Sequence, residues 1–344
     1  MKLFHKCLFW HLFISISIHS AHAQDDVNSY SFRAMAGIED YNYEFSNADL
    51  FLIDTSNRTF DNIDNPDGIA GINGISGSNE YIGLGFTFSH KSGVNFDIQY
   101  TTNPSEDENP PFAGQFSIGS PDTILQVISA DSVDVDRSDL VASVSRGFFR
   151  NAFIGAIGYK RSEVGFEQES FTNATINGLF GDGFDGQITQ AGTQSSDFEY
   201  DGIFVSIARG FQLSEKLFLS LNGGLAFHDA DYAFTVDVAD TFVILPDGNS
   251  MLSQEASQSQ VNIGGDSLGF NSSVALTGLF SSNGRWKWKA RLDYYLYDYD
   301  LSVDSESDAN ASGSLASELL PAVGATGEFE EEIIRAGVEL SYSF

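Results

Sequence analysis

Cysteine and histidine are nearly missing from this chain, and where they do occur narrows the chemistry further. The only cysteine of the 344 residues is Cys7, and four of the six histidines (His5, His11, His19 and His22) fall in the same opening stretch. That stretch reads as a signal peptide over residues 1–23. Lys2 and Lys6 precede an apolar core from Cys7 to Ile18, and the small-residue site Ala21-His22-Ala23 sets cleavage before Gln24. The remaining domain, residues 24–344, then has no thiol and only His90 and His228, which excludes a disulfide scaffold, a thiolate metal site and a cysteine nucleophile. No cofactor is expected.

Basic charge is scarce as well, with 17 Lys and Arg against 48 Asp and Glu. Loss of Lys2 and Lys6 takes the net charge from −31 to −33 (−31 − 2). Such a surface repels polyanions, so nucleic acid is not expected as a partner. After residue 23 no apolar run is long enough to cross a bilayer as a helix. Membrane residence, if any, must come from strands closed into a barrel, the other structure that satisfies its own backbone in lipid.

Strands are present in the pattern. At the end of the chain Ile334, Ala336, Val338, Leu340, Tyr342 and Phe344 share one face, while Arg335, Gly337, Glu339, Ser341 and Ser343 share the other. The same alternation runs through four pairs of segments, each joined by a short turn. These are Ile82 to Tyr100 about Ser89–Gly93, Leu140 to Tyr159 about Gly147–Asn151, Ile203 to Phe227 about Gln212–Lys216, and Leu268 to Tyr297 about Ser281–Gly284. A first strand covers Tyr30 to Glu39. One first strand, four hairpins and one last strand give 1 + 8 + 1 = 10, with eight or twelve as the neighbouring counts. The connections near 45–79, 102–138, 162–201, 229–267 and 298–329 are long and alternate with the short turns, which is how outer-membrane barrels separate external loops from periplasmic turns. The expected fold is all-β, a transmembrane antiparallel up-and-down β-barrel with five long acidic extracellular loops.

The leading segment, the alternating strands and the ending Tyr342-Ser343-Phe344 resemble Gram-negative outer-membrane β-barrel proteins as a class. That resemblance implies residence in the outer membrane among its lipid and lipopolysaccharide. It also implies that Tyr342 and Phe344 belong to the signal read by the barrel-assembly machinery.

Alternation turns Arg33, Glu39, Asp97, Lys160, Lys287, Lys289, Arg291, Asp293, Arg335 and Glu339 toward the lumen. Opposite signs in a narrow lumen suit a structural network of pairs, with a narrow solute path as the competing reading. The acidic runs, including Glu106-Asp107-Glu108, Asp131 to Asp136, Asp304 to Asp308 and Glu330-Glu331-Glu332, read as solvated surface. Divalent cations are a further possible partner there, with Asp182 and Asp185 of Gly181-Asp182-Gly183-Phe184-Asp185-Gly186 the weak calcium candidates. Tyr294, Tyr295, Tyr297 and Tyr299 read as an interfacial girdle. A short echo links Val144-Ser145-Arg146-Gly147-Phe148 to Ile207-Ala208-Arg209-Gly210-Phe211.

Ten strands is also the barrel size of the omptin proteases, and His228-Asp229-Ala230-Asp231 lies at the height of their outer rim. The family's motif around its histidine is not matched, and Ser220 is too far along the strand from His228 to form a hydrolase pair. The functional expectation is a non-enzymatic barrel, either a porin-like narrow channel or a structural barrel. The alternatives are a surface adhesin or receptor and, behind it, an omptin-like hydrolase.

Deleting Phe344 should lower the amount of folded barrel at the cell surface, measured by its heat-dependent gel shift. Unchanged surface levels would remove the assembly role.

Overall fold

A computed structural model describes residues 28–45, 74–108, 112–117, 124–148, 153–177, 184–246, 251–280, 284–302, 309–311 and 326–344. Residues 1–23 with Cys7, and Asp182, lie outside them. The strands are β1 Ser29–Phe45, β2 Gly74–Ser89, β3 Val94–Glu108, β4 Phe112–Ser117, β5 Ile124–Phe148, β6 Phe153–Asn177, β7 Phe184–Ser214, β8 Leu217–Pro246, β9 Met251–Leu279, β10 Trp286–Ser302, β11 Ala309–Ala311 and β12 Thr326–Ser343. Ten of them form a ring in the order β1, β2, β3, β5, β6, β7, β8, β9, β10, β12, every neighbouring pair antiparallel. The ring closes where β12 pairs with β1 (Ala34 opposite Leu340) and with β10 (Ala290 opposite Val338). The short β4 and β11 are additions on β5 and β9. The chain is therefore a closed ten-stranded barrel of the outer-membrane type.

Closure removes the unpaired strand edges that lipid would not tolerate. Lipid is required by the outer face. Phe32, Ile82, Leu84, Ile157, Ile203, Leu268 and Val338 all point outward, and the most open, Leu84, is 69% exposed. An apolar band that encircles a molecule in water would drive aggregation; in a bilayer it is the contact surface. The band covers residues 30–38 of β1, 82–88 of β2, 94–100 of β3, 140–146 of β5, 153–159 of β6, 203–211 of β7, 217–227 of β8, 268–280 of β9, 286–296 of β10 and 334–344 of β12. At its short-turn edge aromatic side chains touch one another: Trp286 with Tyr342 (4.8 Å between centroids), Tyr342 with Phe344 (4.9 Å) and Tyr30 with Phe88 (5.2 Å). The last residue is held by its backbone, since Phe344 N donates to Tyr30 O at 2.9 Å. Tight turns close this edge. One is His90 to Gly93, where Gly93 takes the left-handed φ of 80°, and another is Glu215-Lys216.

At the opposite edge β5 to β9 do not stop, and the connections expected at 102–138, 162–201 and 229–267 are largely strand, while those expected at 45–79 and 298–329 lie mostly outside the described residues. β5 and β6 have 25 residues each, and β7, β8 and β9 have 31, 30 and 29. A bilayer needs only about 9–11 per strand. Beyond the band, β8 continues from Asp229 to Pro246, roughly 60 Å of strand at about 3.3 Å per residue. Since β1, β2, β3, β10 and β12 have only 15–18 residues, β5 to β9 stand as a tall sheet on one side. The hydropathy pattern disguises this. Above the membrane both faces of a sheet can meet water, so polar and apolar residues need not alternate although the backbone ladder continues unbroken.

Inside, glycines leave room for rings. A Cβ on Gly269 would lie 1.8 Å from the Tyr297 ring, and one on Gly337 would lie 1.9 Å from the Tyr81 hydroxyl. Gly269→Val should cost on the order of 1–3 kcal/mol, the scale of overpacking, in denaturant unfolding from bilayers. Gly264→Ala is the control: its methyl meets nothing nearer than 3.6 Å, and its midpoint should match that of the wild type.

Candidate functional site

The interior is built in two storeys. At membrane depth, Arg33 on β1 binds Asp97 on β3 through both guanidinium nitrogens (2.5 and 2.6 Å). Thr87 on β2 donates to the same carboxylate at 2.6 Å. Lys289 on β10 donates to Glu339 on β12 at 2.9 Å, and Arg33 Nε lies 4.0 Å from that carboxylate. Arg291 pairs with Asp293 at 2.5 Å, and Lys287 sits half-buried toward the short-turn edge. Unpaired charges at this depth would cost several kcal/mol each, so the pairing allows the strands to keep polar inner faces.

The upper storey, level with the outer edge of the apolar band and above it, is tied across the lumen. Asp139 on β5 accepts from Arg137 (3.0 and 3.1 Å), from Arg335 on β12 and from Ser162 on β6, with Lys160 Nζ at 3.7 Å. Arg335 also donates to Glu39 on β1, which receives the Asn103 amide at 2.6 Å. Arg137 in turn reaches Glu331 on β12, the Tyr43 hydroxyl (3.3 Å) and the Tyr200 hydroxyl. In the ring, β5 and β12 are separated by β1, β2 and β3. A direct Arg137 to Glu331 contact therefore spans the lumen.

Aromatic rings fill the rest. Phe329 on β12 stacks on Tyr43 of β1 (5.7 Å, 9° between planes), and Phe198 on β7 packs edge-on to Phe329 (4.7 Å) and to Tyr299 on β10 (5.0 Å). Phe166 on β6 meets Tyr43 at 5.3 Å. None of these rings is more than 2% exposed. Burial raises the Tyr43, Tyr200 and Tyr299 hydroxyls well above their ordinary value, so they stay protonated. The Tyr43 and Tyr200 hydroxyls accept from Arg137, and that of Tyr299 donates to Glu331 at 3.3 Å. Lys160, at the edge of the band, has its ammonium over the Tyr295 and Tyr297 rings (4.8 Å each) and donates to the Tyr200 hydroxyl at 3.2 Å.

Arg33, Glu39, Lys160, Lys289, Asp293, Arg335 and Glu339 are buried inside the barrel, and Asp97, Lys287 and Arg291 are half-buried there. Three sequence readings are corrected. Tyr295, Tyr297 and Tyr299 belong to the interior, while Tyr294 alone of that group faces out, because consecutive strand residues alternate. Glu331 is not part of a solvated run: it is 0% exposed, and Glu330 and Glu332 flank it on the other face. Arg137 and Asp139, which straddle the edge of a segment read as a connection, prove to be the centre of the network. The signal available was a lone arginine at alternating spacing, Arg137-x-Asp139, in an acidic stretch. Asp185 lies in β7 opposite Leu245, and among the described residues no three acidic or histidine side chains gather as metal ligands.

His228 is buried beside Tyr200 and Tyr297 (5.0 Å each), with Nδ1 3.4 Å from the Ser267 hydroxyl. Asp229 and Asp231 are exposed on the opposite face of β8, so the His-Asp-Ala-Asp run forms no pair. Burial, reinforced by Lys160 and Arg137, pushes the imidazole pKa down to about 3, which keeps it neutral. Ser220 donates instead to Ala275 O at 3.3 Å.

No family model matches the chain, and no curated protein matches it. Among solved structures it is similar to the outer membrane protease OmpT from Escherichia coli, with 10% identity, 93% of this chain and 97% of that one covered, and a TM-score of 0.42. It is also similar to the outer membrane protein OprG from Pseudomonas aeruginosa (10% identity, 91% and 95% covered, TM-score 0.25). A third similarity is to Neisserial surface protein A (8% identity, 90% and 95% covered, TM-score 0.22). The likenesses are distant, and the barrel's closure is established by its own strand pairing.

Asp139 gives the network a pH signature. Burial raises its carboxyl, but Arg137, Arg335 and Lys160 outweigh that and hold it well below its ordinary 3.8. The unfolded chain then binds the extra proton, so the stabilisation is complete above pH 3.8 and is lost as pH falls through the folded value. Asp139→Asn should cost about 3–5 kcal/mol at neutral pH, as expected when one partner of a buried ion network is removed. The gap to the wild type should close on acidification below pH 3.8, read from unfolding midpoints; a gap independent of pH would show that Asp139 is not the hub.

Proposed function

We propose that this protein is a non-conducting outer-membrane barrel that anchors a tall extracellular sheet and presents it to a partner outside the cell. What supports the reading is the cross-lumen packing: ion pairs at membrane depth, a network above them that reaches from β5 to β12, and a cluster of buried rings at the top. A porin-like path would need at least one water-lined route past Tyr43, Phe198, Tyr299 and Phe329, whose rings are in mutual contact. With transport unsupported, the feature left to explain is the extension of β5 to β9 well beyond what a membrane anchor requires. A surface receptor or adhesin uses such an extension directly. A hydrolase reading finds no support in His228, which is neutral, buried and away from its neighbouring aspartates.

The absence of cysteine after Cys7 makes the test clean. Thr193→Cys on the extended part of β7 should react with a membrane-impermeant maleimide on intact cells, whereas Ser92→Cys in the β2 to β3 turn should react only after lysis. Equal labelling of both on intact cells, or labelling of Ser92→Cys alone, would contradict presentation of the sheet to the outside.

A further inference from the structure

The repeated Arg-Gly-Phe sequence, which the network and the seal do not use, places two arginines alike on the outer wall. Arg146 ends the lipid-facing run of β5 and Arg209 that of β7, both exposed, with Val144 and Ile207 toward the membrane centre and Phe148 and Phe211 toward the short-turn edge. Between the two strands lies β6. Its Gly155 stands level with Arg146 and Ile207, and Phe153 stacks on Phe148 (5.9 Å, 17°). The Arg209 guanidinium rests over the Phe153 and Phe211 rings at 5.2 and 4.9 Å. A Cβ on Gly155 would lie 3.1 Å from the Phe148 ring, so that ring covers the side-chain-free position, and Arg146 and Arg209 stand two strands apart on the lipid face, Arg209 one outward position nearer the short-turn edge.

Among the described residues, five other arginines have carboxylate partners. Arg33, Arg137, Arg291 and Arg335 are paired with acids inside the barrel, and Arg161, outward at the opposite rim, is clamped by Glu163 (2.8 Å) and Glu199 (2.9 Å). Among the described residues neither Arg146 nor Arg209 has an acidic partner. The two ends of the barrel differ in the same sense. Outward positions just above the band carry Asp40, Glu80, Asp136, Glu163, Asp229 and Asp298, whereas the short-turn end exposes Lys91, Lys216 and Arg285 with Glu215 the only acid among the described residues there.

We propose that Arg146 and Arg209 form a binding site for the phosphate of an anionic phospholipid in the leaflet at the short-turn end. A guanidinium offers a planar fork of donors that matches phosphate oxygens, and here it is held at the depth where aromatic residues mark the headgroups. The acyl chains would lie along the apolar wall above Gly155. The site rests on the membrane-barrel reading, and the experiment separates the two.

The full chain is inserted into vesicles mixing phosphatidylcholine with phosphatidylglycerol, and the lipids it retains on release are counted by native mass spectrometry. Wild type should retain phosphatidylglycerol in excess of its share, and Arg146→Gln with Arg209→Gln should reduce that enrichment by roughly fivefold for each arginine, the effect of one basic side chain at an anionic surface. Lys91→Gln with Lys216→Gln, in the turns, should leave it intact. Undiminished enrichment in the arginine variant, or an equal loss in the lysine variant, would overturn the site. Failure of the wild type to insert at all would instead remove the membrane reading beneath it.

Discussion

Asp139 stands where Arg137, Arg335 and Lys160 converge, and the rest of the interior is arranged around keeping that convergence dry and neutral in sum. A ten-stranded ring is wide enough that its walls do not touch by themselves. Long side chains must meet in the middle, and charged ones can do so in a low-dielectric space only in pairs. Arg137 reaching Glu331 and Arg335 reaching Asp139 draw β12 toward β5 across the lumen. The rings of Tyr43, Phe198, Tyr299 and Phe329 pack above, none more than 2% exposed, and a dry space beneath them would strengthen the pairs. Gly269 and Gly337 follow from the same constraint, since the large inward rings of Tyr297 and Tyr81 need wall positions without side chains.

The sequence was legible wherever lipid imposed a period of two. The closing strand from Ile334 to Phe344, the four hairpins and the ring of ten are all set by a solvent that rewards apolar residues on one face only. Legibility ended at the outer rim because water accepts either face, so the upper halves of β5 to β9 read as loops. Inside the lumen, alternation from Leu296 already placed Tyr297 and Tyr299 inward. Reading the four tyrosines as one girdle set that periodicity aside. Glu331 was hidden by its neighbours: three consecutive glutamates look like a solvated run, although a strand necessarily sends the middle one to the opposite face. Arg137 and Asp139 were obscured because they straddle the point where the apolar pattern fades.

Charge on the outer wall divides along the same axis. Acidic residues take over immediately above the band, and the unpaired arginines lie at the opposite edge, so the two leaflets meet chemically different surfaces. Most described interior charges are paired within the chain, whereas among the described residues of the wall Arg146 and Arg209 have no acidic partner.

The proposed role of the barrel depends most on a sealed lumen. Single-molecule recordings of the refolded full chain in planar bilayers test this directly. Membranes containing the inserted barrel should conduct no more than bare ones at moderate voltage and neutral pH. Stable unitary current steps under those conditions would contradict the seal and return the protein to the channel class.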